Sequence, residues 1–538
     1  MRDEQATVRE DYSANGDAWT HFPHEAARSR AYRWGEDGLG GLCDNHGRLC
    51  FGLALWNERD PMLKERLFGT TNAQGNHGED VKEIYYYLDS TPTHSYMKFL
   101  YKYPQAEYPY DQLVRESENR SRDVPEFEIT DTDVFDDNRY WDVFVEYAKD
   151  EDLPEGISVR ITAYNRGPDP ATLHVLPQLW FRNTWSWPKE RPSYPDMPRM
   201  SLTGEGTVMA EHKDLGTYYM YANSSPAPVL PDDAVETDEI VVPDMLFTDN
   251  DTNFERLYGG QNVVPYVKDA FHDHVVPSHR PAVPKAPKKK RHHAAPTADE
   301  EDGEKTPEMK SKDLHDDEND SGSDTEEEDS TPPRQFVNPN KEGTKAAAHY
   351  VFEDVPGNGG CAVIRLKLTP RTPEQDVSIL DEEEFDQVIE ERRTDADEFY
   401  SRFNWAALTD DLRNIMRQAL SGMMWNKQFY MFIQEEWLAG DPGQPPPPPE
   451  RKWIRNRDWR HMHAEDILSM PDKWEYPFFA IWDTAFHCIP LAMVDPAYAK
   501  KQLDIMTREW YMKPDGGLPA YEWCVPPPHR FVVLALVL

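Results

Sequence analysis

The chain has 538 residues, 38% of them hydrophobic, with 16 Trp and 26 Tyr, enough for two or more domains around a large aromatic core. Its formal charge of −40 excludes a general affinity for nucleic acid or for an anionic membrane surface. The five cysteines (Cys43, Cys50, Cys361, Cys488, Cys524) are scattered and show no CxxC or Cys/His ligand spacing, which predicts neither a disulfide scaffold nor a metal site.

The opening "MRDEQATVREDYSANGDAW" is polar and lacks the apolar centre of a signal peptide. No apolar run approaches the roughly 20 residues that span a bilayer. A reducing, cytoplasmic setting without membrane contact is the expectation. From about residue 30 to 270 the chain is a series of β-branched and aromatic runs broken by turn residues: "EIYYYLDS", "RYWDVFVEYAK", "GISVRITAYNRGP" and "ATLHVLPQLWFRNTW". In the third, Ile157, Val159, Ile161 and Ala163 alternate with Ser158, Arg160, Thr162 and Tyr164, the period-two pattern of a half-buried strand. "NRGPDPA" then supplies a turn. These runs predict an antiparallel β-sandwich over residues 1–274, completed by "AAAHYVFEDV" and "CAVIRLKLTP" within 341–369.

Residues 275–340 interrupt that pattern. "PKAPKKKRHH" leads into a segment in which Asp299 to Asp329 hold 16 acidic and 3 basic residues. With so little apolar surface to bury, the insert is expected to be disordered. Its basic run, Lys288, Lys289, Lys290 and Arg291, reads as a solvated loop or as a nuclear-import signal. Its acidic part suits a basic protein partner or phosphorylation at Ser321, Ser323 or Thr325.

Helical spacing takes over after Thr369. "EEEFDQVIEERRTDADEFYSRF" and "TDDLRNIMRQALSGMMWNKQFYMFI" are predicted helices. In the second, Leu412, Ile415, Met416, Ala419, Met423 and Met424 form one apolar stripe, with Thr409 or Asp410 as cap. "GDPGQPPPPPE" is a loop. A third helix is expected from Pro477 or Phe478, and a fourth with Asp495 as N-cap and Pro496 at its first position.

The third helix lies in "MPDKWEYPFFAIWDTAFH", which mixes Asp472, Glu475 and Asp483 with many rings. Sugars stack flat C–H faces on such rings, and a glycosidase needs a carboxyl kept protonated by apolar surroundings to act as general acid. Asp483, flanked by Phe478, Phe479, Trp482 and Phe486, has that sequence environment. Packing alone offers a competing account: a buried helix carboxylate satisfied by Lys473 or His487, with Asp472 and Glu475 flanking the helix start.

"KWEYPFFAIWDTAFH", with "GEDVKEIYYYLDSTPTHSYMKFLYKYPQ", "LHVLPQLWFRNTWSW", "RQALSGMMWNKQFY" and "GLPAYEW", resembles glycoside hydrolase family 63, in the branch of mannosyl-oligosaccharide glucosidase and mannosylglycerate hydrolase. The resemblance covers nearly the whole chain outside 275–340. It implies a β-sandwich followed by an (α/α) toroid over 370–538. It also implies inverting hydrolysis of α-linked glucosides or mannosides, without metal or organic cofactor, and Asp483 as general acid. Trp474, Glu475, Trp482 and Glu522 would then line the sugar site, joined by Trp34, Glu36 and Asp37 of "RAYRWGEDG", which alternatively form a turn beside a buried Trp. The family's general base lies on a later helix. Only 55 residues follow Asp483, too few to complete the ring, so the toroid is expected to be incomplete and the chain shortened. Glu522 is the alternative base. Rival expectations are a carbohydrate-binding relic without activity, and a scaffold that works through the acidic insert.

Overall fold

The computed structural model describes residues 24–32, 35–67, 83–121, 123–125, 127–186, 197–230, 239–276, 335–372, 374–375, 381–403, 407–440, 446–453, 457–471, 473, 479 and 481–518. The strands predicted for the first 370 residues form two large antiparallel sheets. One, of six strands, runs in the order Leu42–Cys43, Leu49–Trp56, Ala171–Phe181, Lys345–Val355, Asp244–Thr248, with Lys64–Glu65 pairing separately on Leu49–Trp56. The other, of nine, runs Glu342–Gly343, Arg199–Gly204, Thr207–His212, Gly216–Ala222, Cys361–Thr369, Ile157–Asn165, Tyr140–Lys149, Tyr96–Pro104, Ile84–Ser90. One buried cluster joins them, with Phe51, Leu53, Leu55, Leu179 and Phe352 from the first sheet and Phe99, Val143, Val145, Ile161 and Ile364 from the second. Residues 277–334, most of the expected disordered insert with its basic run and serines, lie outside the described residues. The strands on either side of them belong to the same two sheets.

The alternation in Ile157–Asn165 is real but not clean. Val159, Ile161 and Ala163 face the core, while Ser158 and Thr162 on the opposite side are also buried. A helix, Glu382–Ser401, covers that outer side. Its Phe385, Ile389 and Ala396 pack with Tyr96 and Ala148, and its Asp386 receives Arg160 at 3.2 Å and Arg365 at 2.7 Å. Asp381 caps the helix by accepting from the amides of Glu383 and Glu384. This helix therefore packs on the sheet.

The next predicted helix is shorter than its sequence suggests. Thr409 caps it, accepting from the Leu412 amide, but it ends at Trp425. Lys427–Ile433 is instead a strand paired antiparallel with His463–Ser469. "KQFYMFI" carries β-branched or aromatic residues at four of seven positions, and cross-strand packing overrides the continuation of helical spacing. The predicted stripe is also rotated. Leu412, Ile415 and Ala419 are exposed, whereas Leu420, Ser421, Met424 and Trp425 are buried. The buried side follows the docking surface: Trp425 stacks on Tyr87 of the edge strand Ile84–Ser90 at 5.6 Å and joins the sandwich core.

Two helices follow, Ile481–Val494 and Pro496–Met506. The second starts as predicted, Asp495 accepting from the Tyr498 amide with Pro496 in the first turn. Among the described residues no helix is long and apolar enough to cross a membrane.

Candidate active site

Asp483 stands in the first turn of the helix Ile481–Val494, half-buried. The helix is apolar around most of its circumference. Ile481, Thr484, Ala485, Cys488, Leu491 and Val494 are buried, several of them against Leu420 and Met424 of the helix Asp410–Trp425 and Ala499 of the helix Pro496–Met506. On the opposite side Trp482, Phe486, Ile489 and Met493 are 48–66% exposed. At about 100° per residue these four fall within an arc of roughly 60°. Asp483 and His487 lie along one border of that stripe. Phe479, one of the rings that flank Asp483 in sequence, precedes the helix and is buried against Tyr430 and Tyr511.

Burial raises the carboxyl pKa of Asp483 above the ordinary aspartate range, and the nearby His487 only partly opposes this. No basic side chain forms an ion pair with it among the described residues. Lys473, the partner that packing alone would give it, is committed elsewhere: its ammonium pairs with Asp37 and donates to the Gly41 carbonyl at 3.2 Å. His487 is itself held below the usual histidine range by burial, and its Nδ1 lies 3.1 Å from Ser469 Oγ. The site thus offers a carboxyl biased towards its protonated form beside an exposed indole, Trp482.

The structure connects this region to the sandwich. The Asp37–Lys473 pair ties the "GEDG" turn to the chain entering "KWEYP". Arg182 of "FRNTW" reaches the other way. Its guanidinium lies 5.1 Å from the Phe429 ring and donates to the carbonyls of Gly47 at 2.9 Å and His46 at 3.1 Å. Neither the Asp37–Lys473 pair nor the Arg182–Phe429 contact is visible in local spacing. The one signal was a lysine embedded in an aromatic stretch.

Glu36 has a structural place. It is fully buried, accepting from Lys268, from Asn250 Nδ2 at 2.7 Å, from Trp180 Nε1 at 3.2 Å and from the Tyr32 amide at 2.9 Å. Burial pushes its carboxyl up, but Lys268 and then Arg66 outweigh this and hold it below the usual range. Its four partners occupy it inside the fold, where it holds Lys268 and the indole of Trp180 in place. Asp37, Trp482 and Asp483 are thus the predicted site residues that the structure leaves near the surface or at the seam. Trp34, Trp474, Glu475 and Glu522 lie outside the described residues, as does Asp472.

Among the described residues no group of three or more His, Cys, Asp or Glu is placed to hold a metal ion. A cavity of about 340 Å³ lies away from Asp483, lined by Asp150, Lys367, Arg371, Glu384, Phe385 and Arg392 on the outer side of the nine-stranded sheet.

No family model matches the chain. Over 553 aligned positions covering 98% of it, the chain is 43% identical to a protein of Saccharomyces cerevisiae described as uncharacterized protein YMR196W. The chain spans about half of that curated relative, 46% of its length.

Proposed function

We propose that the chain is part of an inverting glycoside hydrolase acting on α-linked glucosides or mannosides, with Asp483 as the general acid. The observation that carries the reading is the state of Asp483. Burial raises its pKa, no cation pairs with it among the described residues, and it lies next to an exposed tryptophan. A general acid must reach the leaving oxygen already carrying its proton, and a raised carboxyl does so nearer neutral pH. Trp482 supplies a flat apolar face for a pyranose ring. Inversion also needs a second carboxyl about 6.5–9.5 Å away to activate water. Within this chain Glu522 is the candidate for that role.

The same reading takes the helices Asp410–Trp425, Ile481–Val494 and Pro496–Met506 as part of an (α/α) toroid. A helix apolar on both faces is ordinarily covered on both, and the exposed Trp482–Met493 stripe of Ile481–Val494 is the feature that supports a further helical layer.

The test is to incubate the chain with α-linked glucose and mannose disaccharides and mannosylglycerate. Tryptophan fluorescence reports binding and free sugar reports hydrolysis. Release of glucose or mannose, together with a binding signal lost in Trp482→Ala, supports the proposal. Binding without release would assign recognition alone. Neither binding nor release would remove the sugar reading.

A further inference from the structure

We infer that Cys43 and Cys50 are a reversible dithiol–disulfide pair, an oxidative modification site at the neck of the loop 44–49. The two cysteines sit directly opposite each other on the antiparallel strands Leu42–Cys43 and Leu49–Trp56. The next pair outward carries the ladder bond, the Asp44 amide donating to the Leu49 carbonyl at 3.3 Å, which makes Cys43 and Cys50 a non-hydrogen-bonded pair. Cα atoms at such positions are about 4.5 Å apart, inside the roughly 4.4–6.8 Å range that a disulfide spans. Both are free thiols in the structure. The Cys43 thiol and then burial push the Cys50 thiol well above the usual range.

The pair is asymmetric in a way that assigns roles. Cys43 is half-buried and reachable, whereas Cys50 is 2% exposed, its Sγ 3.7 Å from the Gly47 carbonyl. Cys43 is therefore the entry thiol and Cys50 the resolving one. The oxidant is a small-molecule disulfide such as oxidised glutathione. Cys43 gives up its proton and its sulfur attacks one sulfur of that disulfide, expelling the first small thiol, which takes up the proton. Cys50 then gives up its proton and attacks the Cys43 sulfur, expelling the second. Two protein thiols and one small disulfide become one protein disulfide and two small thiols. The loop between them is already closed. Asp44 accepts from the amides of His46, Arg48 and Leu49 at 2.7–2.8 Å, and Gly47 takes φ +58, so the bond forms without rearranging the turn. Arg182 grips the same loop through the Gly47 and His46 carbonyls and packs on Phe429. Oxidation thus stiffens the loop on which the strand Lys427–Ile433 rests. The inference is independent of the proposed sugar chemistry.

The test exposes the folded chain to glutathione buffers of increasing oxidised fraction, then alkylates free thiols and maps each cysteine by mass spectrometry. The expected result is a Cys43–Cys50 linked peptide that dithiothreitol reverses, with almost no glutathione retained on Cys43. Cys50→Ser, or Cys50→Ala if the serine perturbs the fold, should trap the adduct on Cys43 and raise it at least about tenfold. Cys43→Ser should leave Cys50 unmodified in the native chain. Persistent glutathione on wild-type Cys43, pairing of Cys43 with Cys361, Cys488 or Cys524, or linkage seen only after denaturation would each overturn the inference.

Discussion

Trp425→Ala asks whether the helical region is fastened to the sandwich where the structure places the bolt. Trp425 is 2% exposed at the end of the helix Asp410–Trp425. Its ring lies 5.6 Å from Tyr87, 5.7 Å from Phe99 and 6.2 Å from Tyr147, and its indole N–H donates to the Asp89 carbonyl at 2.9 Å. One helical turn pair earlier, Arg417 forks onto the Asp89 carboxylate and reaches Asp397 at 2.6 Å. Truncating a buried tryptophan of this kind costs about 3–5 kcal/mol. Aromatic pairs contribute about 0.5–1.5 kcal/mol beyond their area, which puts Trp425 towards the upper part of that range. Trp482→Ala is the internal control: the same atoms are removed from a side chain 48% exposed, and the cost should stay under about 1 kcal/mol. Guanidinium melts followed by far-UV circular dichroism, with hydrogen exchange across residues 410–425, measure both. Losses below about 1 kcal/mol for both variants, with unchanged protection of the helix, would refute the docking.

Glu36→Gln should cost about 3–5 kcal/mol by leaving Lys268 buried beside a neutral group, and adding Lys268→Met should recover much of it in the same melts. Because the folded carboxyl of Glu36 is held below its unfolded value, its contribution should be full above about pH 4.5 and fade as pH falls through the lower folded value. Asp249 behaves oppositely. Burial and Asp251 raise it to about 6, so the folded state keeps a proton that the unfolded state releases, and stability falls as pH rises from about 4 to 6. Asp249→Asn should flatten that part of a stability–pH profile. Asp495→Ala removes both the cap on the Tyr498 amide and the partner of Lys427 at 2.9 Å, and should cost more than the roughly 1 kcal/mol expected for Thr409→Ala, which removes a cap alone.

The sheets were legible because their signal is local. Runs such as "RYWDVFVEYAK" carry β-branched and aromatic residues between turns, and each matches one strand. Caps were equally local: Thr409 and Asp495 each act within three residues. The misread helix end shows the limit. Met423, Met424 and Trp425 keep helical spacing into "NKQFYMFI", and only pairing with His463–Ser469, some thirty residues on, makes a strand there. The rotated stripe fails for the same reason, since the edge strand Ile84–Ser90 decides which side Trp425 buries. At the candidate site, spacing put Trp482 and Asp483 on one helix correctly. It could not reveal that Lys473 turns to Asp37 while Glu36 is taken by Lys268, because both pairings bridge residues more than two hundred positions apart.

The most direct measurement of the central claim is turnover and melting temperature of Asp483→Asn, taken on one preparation beside the wild-type chain, with an α-linked glucoside or mannoside that the wild type cleaves. The amide keeps the size of the side chain but has no proton to donate. General acid catalysis contributes about 10²–10⁴-fold, so kcat should fall by that order while the melting temperature and sugar binding hold. Substrates with leaving groups that need little protonation, such as glycosyl fluorides, should lose less. Near-normal turnover by Asp483→Asn, or a wild-type chain that cleaves no such substrate, would contradict the account.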